Sequence, residues 1–294
     1  MYLRSRLDFL LDAQNSDGGW GYFPGKRSWL EPTVYAMLAL DGDGQAQGAL
    51  QRAWKAVRSW QLPEGAWRGG PQVQEPHWTT ALAVTLHVAR GQFDQPFRAG
   101  VDWLLKTIGA EENFWAWMAR WLKMQTIEAD PSLHGWPWTS GTSSWVEPTV
   151  HTLICLRKAA TRYQAKELGL RVEMGEKFLL DRRCSDGGWN YGNGRAFRVD
   201  LPSFEETTAL GLLALQGTHG ADLRTTLDRA QAFWKAGPSP LARAWLSISL
   251  RNYGLPIEKC DQAQAVRSDV LVTALEALGC EDGRYRLLNP QVTT

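Results

Sequence analysis

Two kinds of hydrophobic pattern alternate along this 294-residue chain. One places apolar residues on a single stripe with charges opposite, as in Gln47 to Trp60, Phe97 to Leu105 and Lys166 to Leu180, which is the pattern of helices with one face in water. The other is apolar almost all round: SWLEPTVYAMLAL ending at Leu40, EPHWTTALAVTL at Leu86, SWVEPTVHTLICL at Leu156, SFEETTALGLLAL at Leu215 and, more loosely, SDVLVTALEAL at Leu278. Helices of that second kind are buried on both sides. The periodicity predicts about twelve helices, near 3–14, 31–41, 46–60, 77–89, 95–107, 113–124, 146–158, 165–182, 205–216, 222–235, 240–252 and 265–279. Half-wet helices alternating with buried ones imply an outer ring wrapped around an inner ring, an all-α (α/α)6 toroid. No Gly/Ser linker or charge run divides the chain, so residues 1–294 are read as one domain.

The turns repeat as well. FLLDAQNSDGGW, Phe9 to Trp20, recurs as FLLDRRCSDGGW, Phe178 to Trp189. A weaker copy, SWQLPEGAW, ends at Trp67, and a looser one follows Trp121, running through His134-Gly135-Trp136. In each, an outer helix gives way to a Gly-containing turn that presents a Trp. Strict alternation breaks around 113–158, where Trp115, Trp117 and Trp121 crowd one helix and a long loop carries Trp136 and Trp138.

Phe9-Leu10, Gln14, Gly18 and Trp20 resemble the QW motif of the terpenoid cyclase and protein prenyltransferase superfamily, which includes the squalene cyclases. The resemblance extends over nearly the whole chain, but it belongs to the repeat and therefore to the fold. It implies that Gln14, Trp20, Gln61, Trp67 and Trp189 brace the outer helices, with Arg183 standing where the last copy would have Gln. The superfamily's chemistry is only partly represented. The DxDD acid element of triterpene cyclases and the DxC zinc element of prenyltransferases are both absent, and such cyclases join two helical domains where this chain has one. Ser203-Phe204-Glu205-Glu206-Thr207-Thr208 falls where a DxDDTA segment would, with Ser for the first Asp and Glu for the other two.

Composition narrows the partners. A formal charge of +1 with mixed signs leaves no basic field for nucleic acid or an anionic membrane. The first residues, MYLRSRLDFLLDAQ, lack a signal peptide's apolar run, and no window reaches a spanning length, so a cytoplasmic protein with at most peripheral membrane contact is expected. Cys155, Cys184, Cys260 and Cys280 form no CxxC pair and are expected as free thiols. The sixteen Trp demand a use, and broad rigid aromatic faces suit both cores and pockets.

Aligning the buried helices on their closing Leu puts Glu31, His77, Glu147, Glu206 and Asp269 at equivalent first-turn positions. Equivalent positions in a ring point at a common axis, so these five ionisable groups should meet at one mouth of a central cavity. One turn inward come Tyr35, Ala81, His151, Leu210 and Thr273, with Glu147 and His151 spaced i and i+4 on one face. A first-turn carboxylate is also favoured by the helix dipole, so Glu31 and Glu147 are equally well read as caps. Converging carboxylates, by contrast, repel and desolvate one another, which raises a pKa. Glu205 beside Glu206 is the first candidate for a shared proton. His77 and His151 with Glu31 and Glu147 are an alternative metal set, since imidazole and carboxylate suit zinc, iron or manganese. His134 is either a cover for the mouth or a turn residue. Trp29, Trp78, Trp145 and Phe204, at or before the inner-helix starts, either line an apolar cavity or fill gaps between helices.

The expectation is a terpene-cyclase-like enzyme that takes an isoprenoid or other hydrophobic polyene and starts cyclisation or isomerisation by protonation. In it Glu206 with Glu205 is the acid, Glu147 and His151 assist proton relay, Trp29, Tyr35, Trp78, Trp145 and Phe204 contact substrate, and no cofactor is required. A non-catalytic ligand- or partner-binding ring, and a metal-dependent hydrolase or polysaccharide lyase on the same toroid, are the alternatives.

Overall fold

Four of the repeat turns are built on one hydrogen bond, from a buried Trp indole back to a carbonyl of the preceding helix. A computed structural model describes residues 2–111, 118, 128–257 and 268–291. Among them are the helices α1 (Tyr2–Asp12), α2 (Leu30–Leu40), α3 (Gln47–Ser59), α4 (Thr80–Ala89), α5 (Gln95–Lys106), α6 (Val146–Ala159), α7 (Lys166–Asp181), α8 (Glu205–Leu215), α9 (Arg224–Lys235), α10 (Pro240–Asn252) and α11 (Val270–Gly279). The indole N–H of Trp20 donates to Leu10 O at 2.7 Å, that of Trp67 to Val57 O at 2.9 Å and that of Trp189 to Leu179 O at 2.7 Å. Each bond adds a donor to a last-turn carbonyl that no i+4 amide reaches. The backbone N–H of the same Trp donates to a Thr hydroxyl on the next helix: Thr33, Thr80 and Thr208. One residue thereby ties an outer helix to an inner one.

The Gln of the turn adds a third tie. Gln14 Nε2 donates to Gly18 O and to Ala49 O, and Gln61 Nε2 donates to Gly65 O and Pro96 O, in each case reaching the start of the next outer helix. Arg183 takes the same route, donating to Asp222 O at 2.9 Å. Gly18, Gly65 and Gly187 all have φ near +90 to +100°, and a Cβ there would strike the neighbouring outer helix, at 2.7 Å from Arg52 O in the first copy. Only Gly fits a turn pressed that closely on a helix.

The inner helices pack in the closed order α2, α4, α6, α8, α10, α11 and back to α2, while α1, α3, α5, α7 and α9 lie against them outside. Backbone bonds between repeats hold the ring: Leu30 N to Gly69 O, Val146 N to Tyr191 O, and Val270 N to Tyr22 O, the last joining the final inner helix to the first turn. A buried Arg6–Glu276 ion pair at 3.2 Å crosses the same seam between α1 and α11.

Two features of the sequence reading change. The looser Trp copy belongs to α5 rather than to a helix ending at Trp121, because the Trp136 indole donates to Leu104 O at 2.8 Å while its backbone N–H meets Thr149. The helix expected at 113–124, with Trp115, Trp117 and Trp121, lies outside the described residues apart from position 118, as does Cys260. Second, α10 is a sixth inner helix, which the alignment on five closing leucines left out. Two short antiparallel pairs, Trp136–Pro137 with Ser144–Trp145 and Arg195–Ala196 with Val199–Asp200, decorate the turns. Among the described residues no helix is long and apolar enough to cross a membrane.

Replacing Trp67 with Phe removes the indole hydrogen bond to the Val57 carbonyl, which Trp60 N also reaches at 3.1 Å, and should cost about 0.5–1.5 kcal/mol in denaturant unfolding. Arg183→Gln, which restores the amide used by the other copies, should stay within about 0.5 kcal/mol of the parent.

Candidate active site at the ring mouth

Because every inner helix runs the same way, their first turns gather at one end of the ring. Glu31, His77, Glu147, Glu206 and Asp269 are all there and all half-buried. Four of them feel one another: Asp269 acts on Glu31, and both Glu31 and Glu206 act on Glu147. On α10 the same position holds Leu241, so the ring of ionisable groups has one apolar member.

The carboxylates are not equivalent. Tyr22, two residues after Trp20, donates its hydroxyl to Glu31 Oε2 at 2.5 Å. Tyr191, two residues after Trp189, donates to Glu206 Oε2 at 3.0 Å, and Ser239 reaches Glu206 Oε1 at 3.4 Å. Asp269 caps α11 by accepting from Val272 N at 3.0 Å, so the capping alternative describes this member of the set. Burial lifts the Glu31 carboxyl above its ordinary range, the Tyr22 hydroxyl draws it back, and Asp269 lifts it again. Glu147 has no such relief. In its repeat the residue two after the Trp is Trp138, which carries no hydroxyl, and burial together with Glu31 and Glu206 pushes the Glu147 carboxyl up to about 8. Burial and the neighbouring Glu206 in turn raise the Tyr191 phenol to about 12.

Below the rim the axis is closed by aromatic rings. Tyr35 of α2, His151 of α6 and Trp245 of α10 come from alternate inner helices and meet with centroid separations of 5.5 Å (Tyr35–Trp245), 5.9 Å (His151–Trp245) and 6.4 Å (Tyr35–His151). Trp245 is the residue that the shared register assigns to α10, opposite Ala81, Leu210 and Thr273 on the smaller sides. Trp78 lies against His151 at 5.3 Å and edge-on to Trp138 at 5.0 Å. Burial holds His151 neutral, with a pKa lowered to about 3. Its Nδ1 is 3.5 Å from the Tyr35 hydroxyl, and Nε2 is buried without a hydrogen-bond partner.

The remaining expectations sort by location. Trp29 leads into α2 with its ring 6.4 Å from Tyr22, while Trp145 and Phe204 lead into α6 and α8 and stay 39% and 42% exposed on the rim. Ser203 is not at the mouth: it donates to Asp186 of the turn at 2.9 Å. Glu206 acts on Glu147 across the mouth, and Glu205 acts with both of them on the Tyr191 phenol. His77, lowered to about 4 by burial, bonds Thr79 and is separated from His151 by the Trp78 ring, which packs on both. Among the described residues no three His, Cys, Asp or Glu stand as metal ligands. His134 is a turn residue, 2.8 Å from Glu111 Oε2. Tyr22, Tyr191, Ser239 and Trp245 were not singled out from sequence; the two tyrosines were findable at the fixed offset of two from each repeat Trp.

An α/α toroid whose single mouth joins carboxyls to an aromatic floor is the class that fold and site define. No family model matches the chain. A 73-residue stretch, 25% of the chain, is 40% identical to drimenyl diphosphate synthase of Streptantibioticus cattleyicolor and covers 14% of that protein. The chain therefore aligns with a small part of the length of this curated relative. Among solved structures, a variant of the type II terpene cyclase MstE from Scytonema in complex with merosterolic acid A superposes with a TM-score of 0.57 at 19% identity, over 94% of this chain and 76% of that one. An endoglucanase from Klebsiella pneumoniae, a family 8 glycosyl hydrolase, reaches 0.55 at 14% identity, over 94% and 97%. The chain has the terpene-cyclase-like toroid, and its resemblance to the terpenoid cyclase superfamily holds at the level of repeat and fold.

The electrostatics set a stability prediction. The folded Glu147 carboxyl binds its proton up to about pH 8 whereas the unfolded one releases it near 4.5, so folding stability falls as pH rises through that window. Glu147→Gln should flatten this slope and raise stability at pH 7 by on the order of 1–3 kcal/mol, read from urea unfolding at pH 5, 7 and 9.

Proposed function

We propose that the chain is a terpene-cyclase-like enzyme that admits an isoprenoid or other hydrophobic polyene at the carboxyl mouth and starts cyclisation or isomerisation by protonation. The observation that carries this reading is the Glu147 carboxyl, held protonated at neutral pH directly above an aromatic floor. Its proton adds to one carbon of an alkene, the π pair becomes the new C–H bond, and the adjacent carbon is left as a cation. A second alkene can then supply its π pair to close a ring. Loss of a neighbouring proton ends the sequence and restores the acid. The carboxylate formed at Glu147 is balanced by the cation it has just made, and the faces of Trp78, Tyr35 and Trp245 favour positive charge over water. Glu206 is the second acid in reach, with Tyr191 and Ser239 fixing its orientation, and Glu205 is its neighbour in sequence.

Drimenyl diphosphate synthase and a terpene cyclase–glycosyl transferase fusion protein of Humicola fuscoatra, 23% identical over 64% of this chain, both resemble the chain in sequence, which supports a polyene as substrate. The glycosyl hydrolase neighbour shares the toroid alone.

Turnover of prenyl substrates should be level at acidic to neutral pH and fall above about pH 8, since the acid must carry its proton. Glu147→Gln should lose at least about 100-fold in kcat. Glu206→Gln and Glu205→Gln identify the donor independently. Retained turnover in Glu147→Gln together with loss in Glu206→Gln would move the acid to Glu206.

A further inference from the structure

If the first turns of the inner helices make the mouth, their last turns surround a second opening at the far end of the axis. One stretch of chain, residues 284–291 beyond α11, crosses it. Arg284 lies over Gly42 at the end of α2 and donates to Asp41 Oδ2 at 2.6 Å. Asn252, at the end of α10, donates through Nδ2 to Tyr285 O at 3.3 Å, and Lys158, in the last turn of α6, donates through Nζ to Asn289 O at 2.9 Å. Gln291 lies over Gly217, just past α8. A Cβ at either glycine would run into the side chain resting on it, and both have φ near +80°. In the closed order of inner helices α2 and α8 are opposite one another, so the segment spans the opening along a diameter. Midway along it, Leu287 and Leu288 are 5% and 2% exposed.

The layer next to this segment on the axis, eight residues past the rim on each inner helix, is small throughout: Ala39, Thr85, Cys155, Ala214, Ser249 and Ala277, all buried. Six small side chains around an axis leave space for bulkier ones to enter from outside the ring. The segment itself is lightly held. It contributes one 3-10 turn, Tyr285–Leu288, and is fastened by side-chain bonds rather than by a sheet or a long helix. It also covers Lys158, whose side chain is buried and whose ammonium burial pushes down to about 8, so keeping that charge beneath the segment works against closure.

We propose that residues 284–291 are a plug that opens and closes the far end of the axis as a unit while the ring stays folded, with Leu287 and Leu288 seated in the small-residue layer. This goes beyond the chemistry of the mouth and holds whether or not the mouth carries out any reaction. With the plug withdrawn, water reaches Cys155, which stands one turn below His151 on α6. The aromatic floor under Glu147 is then open to water from beneath, which makes the plug a second control on the dryness of the site.

The test is labelling of the full chain with N-ethylmaleimide at increasing urea below the unfolding transition, with Cys155 and Cys184 followed separately by peptide mass spectrometry. Cys184 is equally buried but belongs to the Trp189 turn, away from the plug, and reports opening of the ring as a whole. Cys155 should label by a local route, at a rate nearly independent of urea where that of Cys184 climbs with it. The amides of Leu287 and Asn289, bonded to Arg284 O and Arg286 O, should exchange hydrogen with the same weak urea dependence, unlike those of α10. Leu288→Ser should raise the Cys155 rate at least about tenfold and leave Cys184 within about twofold. Equal urea dependence at the two cysteines of the wild-type chain, or plug amides that exchange only with those of α10, would overturn the proposal whether or not the Ser variant folds. Equal acceleration of both cysteines in Leu288→Ser would also count against it, as a general loosening of the ring.

Discussion

The indole-to-carbonyl bond of the repeat turn is the constraint on which the rest of the molecule depends. A Trp fixed to the end of an outer helix through Nε1 and to a Thr of the inner helix through its backbone leaves the two helices one relative height. Repeating that offset at Trp67, Trp136 and Trp189 levels the N-termini of α2, α4, α6 and α8, and the backbone bond from Val270 to Tyr22 sets α11 against the first turn. The mouth is a consequence of this levelling. Carboxylates that would separate in solution are held together because moving one helix would break its indole bond, its Thr bond and its packing on two neighbours at once.

What differentiates the carboxylates is decided two residues beyond each Trp. Where that residue is Tyr, the following helix's Glu receives a phenol hydrogen bond, as at Glu31 and Glu206. Where it is Trp138, Glu147 is left to burial and to its neighbours' charge, and the proton stays on. A pseudo-symmetric scaffold thus yields one distinct acid through a single change of side chain. The floor follows similar logic: bulky Tyr35, His151 and Trp245 alternate with Ala81, Leu210 and Thr273, so three large rings fill an axis that six could not share.

The fold was legible because the repeat is written in strongly constrained residues. Gly at positive φ, Trp with a buried N–H and all-round apolar inner helices have few alternatives, and ten of the expected helices recur within a few residues of their predicted bounds. The helix at 240–252 is expected from the sequence but its place in the inner ring is not, because its turn, Gly237-Pro238-Ser239-Pro240, has no Trp to announce it and the helix carries Arg243 and Arg251. The origin of the Trp136 turn was misread because an insertion separates it from α5 by more residues than the other copies have. Five rim positions were legible from one alignment on closing leucines, since a register shared by stacked helices is also a shared direction. Which carboxyl keeps its proton was not, because that depends on hydrogen bonds from turns in neighbouring repeats rather than on the glutamates' own sequence.

The Ser203-to-Thr208 segment shows how a local motif and a ring-wide site diverge. Read along the chain, it looks like an acid element reduced from aspartates to glutamates. In the folded ring its first residue serves the Asp186 turn, its Thr208 anchors Trp189, and its glutamates lie at the mouth beside Phe204. The remaining acidity comes from α2, α6 and α11. A cluster of acids within one segment is set largely by local backbone geometry, whereas acids drawn from four helices depend on the whole ring being closed. Loosening any seam would let water into the mouth, return Glu147 toward an ordinary carboxylate and separate the floor rings together, so the chemistry of this site is coupled to the integrity of the toroid rather than to any one of its turns.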